Sequence, residues 1–166
     1  MATIRYEEPS DQDAVRRVHT ACFPTDAEAR LVEALRQSAR LVISLVAEVD
    51  GAVVGHVAFS PVTTRRGDLG LGLGPVAVLA NHRRQGIAHA LIRQGLERCG
   101  RDGYGWAVVL GDPAYYRRFG FIPSPSVGLS DAYGGGDAFQ IMEIRPRTLP
   151  RNAGLVEYGP EFALVG

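Results

Sequence analysis

The sequence predicts a mixed α/β fold in which helices cover both faces of one mixed sheet. Runs of β-branched and aromatic residues alternate along the chain with segments whose apolar residues recur at helical spacing. The predicted order is a strand, two helices, three strands, a helix, a strand, a helix and further strands. The chain has 166 residues and no internal repeat or linker, so a single domain is expected over residues 1–166. Its core is expected at about residues 3–146, and the tail is left unassigned.

The N-terminal third predicts a strand, two helices and a β-hairpin. The alternating segment ATIRYEE predicts the first strand, and Pro24 separates the two helices that follow it. Asp50-Gly51 lies between the apolar runs LVISLVAEV and AVVGHVAFS, and this dipeptide is typical of a tight hairpin turn. The residues expected on the inner helix faces are Val15, Val18, His19 and Cys22, then Leu31, Val32 and Leu35.

The central part of the chain predicts a strand, a helix and a short buried strand. The segment LGLGLGPVAVL predicts the strand, because its GLGLG lacks the third glycine of a dinucleotide loop and leads into β-branched residues. Apolar residues then recur at helical spacing from Gly86 to about Cys99, and Gly100 and Gly103 are expected to end this helix. The run WAVVL suits a buried strand.

The C-terminal part predicts a capped helix and then strands separated by a loop. Asp112 is placed to cap the helix, Pro113 suits its first position, AYYRRF continues it, and Gly120 suits its end. Strands are expected from Phe121 and again at FQIMEIRP. The intervening SPSVGLSDAYGGGD is expected to be a mobile loop.

The composition limits the classes of function. Eighteen basic residues balance eighteen acidic ones, which argues against a chain built to coat nucleic acid or an anionic membrane. There is no apolar run of membrane-spanning length and no signal-peptide core, so the expected location is the cytoplasm. Cys22 and Cys99 are expected to be buried thiols rather than a disulfide, and no cysteine or histidine spacing predicts a metal site.

An anion-binding loop is predicted between the central strand and its helix. The strand VAVLA runs into Arg83-Arg84-Gln85-Gly86-Ile87-Ala88, and the helix starts within this stretch. A helix start presents unpaired N–H groups and the positive end of the helix dipole. Gly86 and Ala88 leave room for a ligand to approach the backbone closely. Arg83 and Arg84 add positive charge, and the combination suits a pyrophosphate.

This stretch resembles the coenzyme A loop of the GCN5-related N-acetyltransferase (GNAT) family, whose pattern is Gln or Arg, two residues, Gly, one residue, then Gly or Ala. Arg83, Gly86 and Ala88 fill those places. The resemblance implies the GNAT acyl-CoA N-acyltransferase fold and acetyl-CoA as cosubstrate, with no metal. It also implies the coenzyme-binding residues, which are Val76, Ala77 and Val78 in the strand, then Arg83, Arg84, Gln85, Gly86, Ile87, Ala88 and His89 in the loop and helix start.

A second part of the resemblance is the run GDPAYYRRFGF. A tyrosine four residues before a Gly-Phe pair is the family's frequent general acid, and Tyr116 has that place. The adjacent Tyr115 is expected to pack. A tyrosine pKa of about 10 exceeds the thiol pKa of about 8.5, so full proton transfer from Tyr116 to a coenzyme A thiolate is not downhill in water. The resemblance therefore implies that the hydroxyl stabilises the departing sulfur by hydrogen bonding.

The general base is left open by the sequence. His56 lies in a predicted strand, where a lone histidine is more often structural than catalytic. Glu48 and Asp112 are alternatives, although Asp112 already has a sufficient role as a helix cap. An ordered water chain would need no base residue.

The resemblance implies an enzyme that transfers the acetyl group of acetyl-CoA to a primary amine, by direct attack in a ternary complex. The acceptor, a small molecule or a protein, is not identified, because neither the first two helices nor the SPSVGLSDAYGGGD loop has a charge signature. One alternative is the same fold with another acyl-CoA or an acyl carrier protein as donor. The other is a coenzyme A-binding sensor without turnover. No nucleic acid or membrane partner is expected, and a homodimer is a further possibility.

Overall fold

The computed structural model describes residues 1–165, which form two compact units. The first unit comprises Met1–Ser60, Gly74–Gly95 and the C-terminal residues from Glu161. The second unit comprises Pro61–Leu73 and Leu96–Pro160. Two strands and one helix contribute residues to both units, and each unit contains a buried apolar cluster of its own.

More of the described residues lie in strands than in α-helices. They are β1 (Thr3–Tyr6), β2 (Ile43–Val49), β3 (Ala52–Thr64), β4 (Leu69–Val78), β5 (Trp106–Leu110), β6 (Ile122–Pro123), β7 (Leu129–Asp131), β8 (Phe139–Glu143) and β9 (Gly154–Tyr158). The helices are α1 (Gln12–Cys22), α2 (Ala27–Gln37), α3 (Ile87–Arg101) and α4 (Pro113–Tyr116). Short 3₁₀ turns connect several of these elements.

In the first unit, α1 and α2 cover one face of an antiparallel set of strands. β1 pairs with β2, and β2 pairs with β3, where Val46 lies opposite His56. Val15 of α1 and Val32 of α2 pack with Val46 and Ala58 in one buried cluster. Because side chains alternate along a strand, His56 and Ala58 of β3 share this face.

The other face of β3 carries α3. A Cβ added at Gly55 would lie 3.2 Å from Leu91 Cδ1, and one added at Gly95 would overlap the Phe59 ring. Glycine at these two positions lets the helix lie close against the strand. The predicted arrangement, with helices on both faces, is therefore confirmed within this unit.

The second unit holds most of the remaining strands. β4 pairs in parallel with β5, β5 pairs antiparallel with β8, and β8 pairs with β6. The end of β3 pairs with β9, which runs parallel to β7. Trp106 and Val108 of β5 pack with Phe139 and Ile141 of β8 at the centre of the core. Parallel and antiparallel pairs occur together, so the predicted mixed sheet is confirmed.

The hairpin turn is confirmed, but the end of α3 differs from the prediction. Asp50 and Gly51 have φ angles of 50° and 79°, which fit a tight hairpin turn. The prediction that Gly100 ends its helix is wrong, since α3 continues to Arg101. The left-handed residue after the helix is Gly103, with a φ of 94°, and this is where the chain turns away.

Part of SPSVGLSDAYGGGD, which was expected to be a loop, forms regular structure. It pairs with a strand in the tail that was left unassigned. A 3₁₀ turn at Ser124–Val127 leads into β7, which pairs with β9 from the tail. The expectation of a loop throughout this segment is therefore wrong. The pairing joins parts of the chain that are distant in sequence, and each strand is too short for its own pattern to reveal it.

Candidate functional site

The predicted anion loop lies between β4 and α3 in the first unit. β4 ends at Val78, and the backbone N–H of Leu79 donates to the Val54 carbonyl at 2.9 Å, which fixes the strand end against β3. A 3₁₀ turn follows at Ala80–His82, and α3 begins at Ile87. The residues between the turn and the helix are all exposed, namely Arg83, Arg84, Gln85 and Gly86.

The backbone of this loop is shaped to bind an anion. Arg84 and Gly86 have φ angles of 62° and 79°, both in the left-handed region. A left-handed arginine is strained, and such strain is common where a backbone is held for a ligand. Ala90 N–H donates to the Gly86 carbonyl, so the N–H groups of Ile87 and Ala88 precede the first intrahelical bond. A Cβ added at Gly86 would meet no atom within 4 Å, so the space beside this glycine is open.

A cavity of about 280 Å³ lies next to the loop. The residues that line it are Cys22, Phe23, Val76, Ala77, Val78, Arg83 and Ala88. The cavity wall thus includes the end of β4 and the first turn of α3. Both of these segments contain residues that were predicted to bind the coenzyme. An apolar cavity beside a loop of this shape suits a ligand that has both an extended arm and phosphate groups.

The two arginines of the loop differ in position. Arg83 Nε donates to the Val78 carbonyl at 2.9 Å, so the Arg83 side chain turns back onto the strand and lines the cavity. Arg84 remains in the exposed loop. The same Val78 carbonyl accepts a hydrogen bond from Cys22 Sγ at 3.3 Å. Cys22 is only half-buried, which corrects the expectation that it is a buried thiol.

Tyr116 lies in the second unit, at the end of α4. The helix expected over AYYRRF is a single α-helical turn followed by a 3₁₀ turn at Arg117–Phe119. Gly120 closes it with a φ of 107°, as predicted. The predicted cap is also confirmed, because Asp112 accepts a hydrogen bond from the backbone N–H of Ala114 at 2.9 Å.

The Tyr116 ring is packed on several sides within the second unit. It lies edge-on to Phe121 and to Tyr115, with ring centroids 5.9 Å and 5.0 Å apart. Burial, together with the neighbouring Tyr115, raises the pKa of Tyr116 to about 12. The hydroxyl therefore keeps its proton at neutral pH and can donate a hydrogen bond. Tyr115 instead stacks with the Arg118 guanidinium, whose carbon lies 4.5 Å from the ring centroid.

The three residues considered as general bases all have structural partners. Asp112 caps α4, and Glu48 accepts a hydrogen bond from Arg5 at 2.9 Å. His56 is fully buried in β3, and hydrogen bonds occupy both of its ring nitrogens. None of these observations favours one of the three as a base.

Sequence reasoning missed a chain of polar side chains around His56, in which the two histidines are buried and the other members are half-buried. Its members come from α1, α2, β2, β3 and the residue after β1, and they are His19, Arg36, Ser44, His56 and Glu7. Burial, with a contribution from Arg36, lowers the pKa of His19 to about 4. Burial and the neighbouring His19 also lower the pKa of His56 well below its ordinary value. The apolar pattern placed His19 on the inner face of its helix and His56 in a strand, but no local pattern shows that the two residues meet.

Other chemistry-bearing groups are sparse. Among residues 1–165, no group of three or more His, Cys, Asp or Glu side chains is placed to hold a metal ion. Over the same range, no helix is both long enough and apolar enough to cross a membrane. Cys22 and Cys99 are free thiols, and burial raises the pKa of the Cys99 thiol to about 12, which makes it a poor nucleophile.

Comparison with known proteins finds a family model and several similar chains. Residues 3–123 match the family model for the acetyltransferase (GNAT) domain. YhbS of Escherichia coli K12, named as an uncharacterised N-acetyltransferase, is 41% identical over 162 residues, which are 96% of this chain and 97% of that protein. The crystal structure of E. coli YhbS in complex with CoA matches with a TM-score of 0.94 and 39% identity, over 99% of this chain and 93% of that one. A GNAT acetyltransferase from Brucella melitensis in complex with acetyl-CoA matches with a TM-score of 0.82 and 39% identity, over 98% of each chain.

Proposed function

Since the chain belongs to the GNAT acetyltransferase family and is therefore an acyltransferase, we propose that it transfers the acetyl group of acetyl-CoA to a primary amine. The acceptor is a small molecule or a protein side chain. The observation that carries the proposal is the cavity that the end of β4 and the start of α3 share beside the loop. Two relatives of high similarity hold CoA or acetyl-CoA in their crystal structures, which supports the same ligand here.

The coenzyme is proposed to lie along the cavity with its pyrophosphate at the loop. The backbone of Arg84–Ala88 would bind the pyrophosphate, because left-handed residues and a helix start direct N–H groups toward one point. Gln85 and His89 are exposed at the edge of this cradle. Val76, Ala77 and Val78 would contact the pantetheine arm, since they line the cavity next to Ala88.

The reaction is proposed to proceed by direct attack of the amine on the thioester carbonyl. Both substrates then occupy one site, and proximity supplies much of the acceleration without a covalent enzyme intermediate. The amine must reach the carbonyl without its extra proton, because an ammonium has no electron pair to donate. When the C–S bond breaks, coenzyme A leaves as a thiolate.

Tyr116 is proposed as the residue that stabilises this thiolate. It has the family's position before the Gly-Phe pair, and its raised pKa of about 12 keeps the hydroxyl protonated. Because a thiol has a pKa of about 8.5, the proton stays on Tyr116 and the contribution is a charge-assisted hydrogen bond.

The experiment that tests the proposed function is turnover with a panel of amines. Acetyl-CoA is mixed with the enzyme and each amine, and release of the coenzyme thiol is followed with and without enzyme. Amine-dependent thiol release with formation of an acetamide is the expected result. Faster release with a longer acyl-CoA would identify a different donor, and binding of acetyl-CoA with no release for any amine would favour the sensor alternative.

A further inference from the structure

The carbonyl of Val78, the last residue of β4, accepts hydrogen bonds from two side chains. Arg83 Nε donates to it at 2.9 Å from the loop, and Cys22 Sγ donates to it at 3.3 Å from the end of α1. A carbonyl oxygen has two lone pairs, so these two donors use its full capacity. Cys22, Val78 and Arg83 also line the cavity beside the loop, so the three segments meet in the cavity wall.

The Val78 carbonyl is directed away from β3. The backbone N–H of Leu79, the next residue, donates to the Val54 carbonyl of β3 at 2.9 Å. Because the backbone groups of successive residues in a strand point to opposite edges, the Val78 carbonyl points to the other edge. At this edge the Arg83 and Cys22 side chains supply the donors that a neighbouring strand supplies elsewhere in a sheet.

The hydrogen bond from Arg83 to Val78 ties the start of the loop to the end of the strand. Between these two residues the chain makes the 3₁₀ turn at Ala80–His82, and the Arg83 side chain returns across it. Residues 84–86 follow, and α3 begins at Ile87, whose side chain is buried. The exposed residues 84–86 are therefore held at both ends, by Arg83 on β4 and by Ile87 in the core.

Holding these residues in place favours anion binding. An exposed loop that contains two left-handed residues loses conformational entropy when it is ordered. A loop that is already fixed presents its N–H groups to an anion without that cost at the moment of binding. Arg83 also carries a positive charge, but its Nε proton is used within the protein. The hydrogen bond and the charge are therefore two separate properties of this side chain, and different substitutions remove them.

We propose that Arg83 is a positioning residue for coenzyme binding, which holds residues 84–86 against the end of β4 through the Val78 carbonyl and does not act through its charge on the pyrophosphate. This rests on the proposed binding of the coenzyme at the loop. The role requires a hydrogen-bond donor on the atom that follows Cδ, and it does not require the guanidinium charge.

The test compares two neutral substitutions of Arg83 by titration with acetyl-CoA. Glutamine Nε2 is as many bonds from Cα as arginine Nε, so Arg83→Gln keeps the donor and removes the charge. Arg83→Met has a side chain of similar length with neither donor nor charge. We expect the acetyl-CoA Kd to stay within about threefold of the wild type in Arg83→Gln and to rise about tenfold in Arg83→Met. The matched control is Arg30→Met on the exposed face of α2, which should bind acetyl-CoA like the wild type.

Two results of the titration would overturn the proposal. An equal rise of the Kd in Arg83→Gln and Arg83→Met would show that the charge binds the ligand. Wild-type affinity in both variants would show that binding does not need this side chain.

A second measurement needs no ligand. In the coenzyme-free protein, the ¹⁵N heteronuclear NOEs of residues 84–86 should be alike in the wild type and Arg83→Gln and lower in Arg83→Met, while those of α3 stay the same in all three proteins. Equal NOEs at residues 84–86 in all three proteins would overturn the positioning role. If the wild type does not bind acetyl-CoA, the proposed function fails, and the NOEs alone decide whether Arg83 holds the loop.

Discussion

The loop proposed to bind the coenzyme, residues 83–86, and the chain of polar side chains from Glu7 to His19 both belong to the first unit, yet they present their chemistry in opposite ways. The loop is exposed and acts mainly through its backbone, with Arg84 and Gly86 held in left-handed conformations. The chain is buried at its two histidines and half-buried elsewhere, and its hydrogen bonds are made by side chains. Changes in the loop should therefore affect ligand binding, whereas changes in the chain should affect stability.

Interrupting the chain from Glu7 to His19 at His56 should give the largest change in stability. In His56→Leu, Ser44 Oγ and His19 Nε2 both lose a partner inside the core. Unpaired buried groups cost about 1–3 kcal/mol each, so the free energy of unfolding should fall by about 2–6 kcal/mol. Urea denaturation measures this change. Acetyl-CoA affinity of the folded variant should match the wild type, and a loss of affinity instead would mean that the two regions are not separable.

Tyr116, like the loop, was identified from a pattern of residues that are close in sequence. Tyr116→Phe keeps the ring packing against Phe121 but removes the hydroxyl. We expect kcat to fall by about 100-fold at unchanged acetyl-CoA affinity, since the proposed hydrogen bond acts only on the departing thiolate. Tyr115→Phe is the matched control and should retain most of the activity. Full turnover by the Tyr116 variant with an accepted amine would remove this residue from the mechanism.

The loop and the chain around His56 also show which features of the structure could be predicted from the sequence. The order of helices and strands along the chain, the hairpin at Asp50-Gly51 and the anion loop follow from local patterns, and each was predicted from residues that are close in sequence. The pairing of β7 with β9 could not be predicted in this way, because neither short strand has a pattern of its own. The meeting of His19 with His56 was missed for a related reason: it depends on how α1 packs against β3, and only the folded structure specifies that packing.

Acid should destabilise the protein through the buried histidines. The ordinary histidine pKa is 6.5, and that of His19 in the fold is about 4, so between these values the unfolded chain binds more protons than the folded one. Stability is therefore fully present above about pH 6.5 and falls as the pH drops toward 4. For His19 alone the loss from pH 7.5 to 5 is about 2 kcal/mol.

The groups that face His19 are His56 and Arg36, and Glu7 is paired with Arg36. His56 adds to the loss, because its pKa is also lowered. Urea unfolding at a series of pH values should show a smaller decline for His19→Gln than for the wild type. Identical pH profiles for the two proteins would contradict a neutral, buried His19.

The smallest expected effect comes from a substitution at Gly86, which distinguishes a role in ligand binding from a role in the backbone turn alone. Gly86 and Gly51 have the same φ of 79°, and a Cβ on either would meet no atom within 4 Å. Gly86→Val and Gly51→Val should therefore lose similar stability, about 1–3 kcal/mol. Only Gly86→Val should weaken acetyl-CoA binding, by about tenfold, because its side chain would enter the space proposed for the pyrophosphate. Equal acetyl-CoA affinities of the two folded variants in a titration would mean that Gly86 serves only to form the turn.

The measurement that tests the central claim most directly is the melting temperature of the wild-type protein with and without acetyl-CoA. A ligand that binds only the folded state at a hundredfold excess over its Kd stabilises it by about 2.7 kcal/mol. For a chain of this size each kcal/mol raises the melting temperature by about 2–4 °C. Acetyl-CoA and coenzyme A should both raise it by several degrees, whereas ATP and NAD, which lack the pantetheine arm, should have little effect. No shift with saturating acetyl-CoA, in a folded sample without copurified coenzyme, would contradict the assignment of the loop and cavity to coenzyme A.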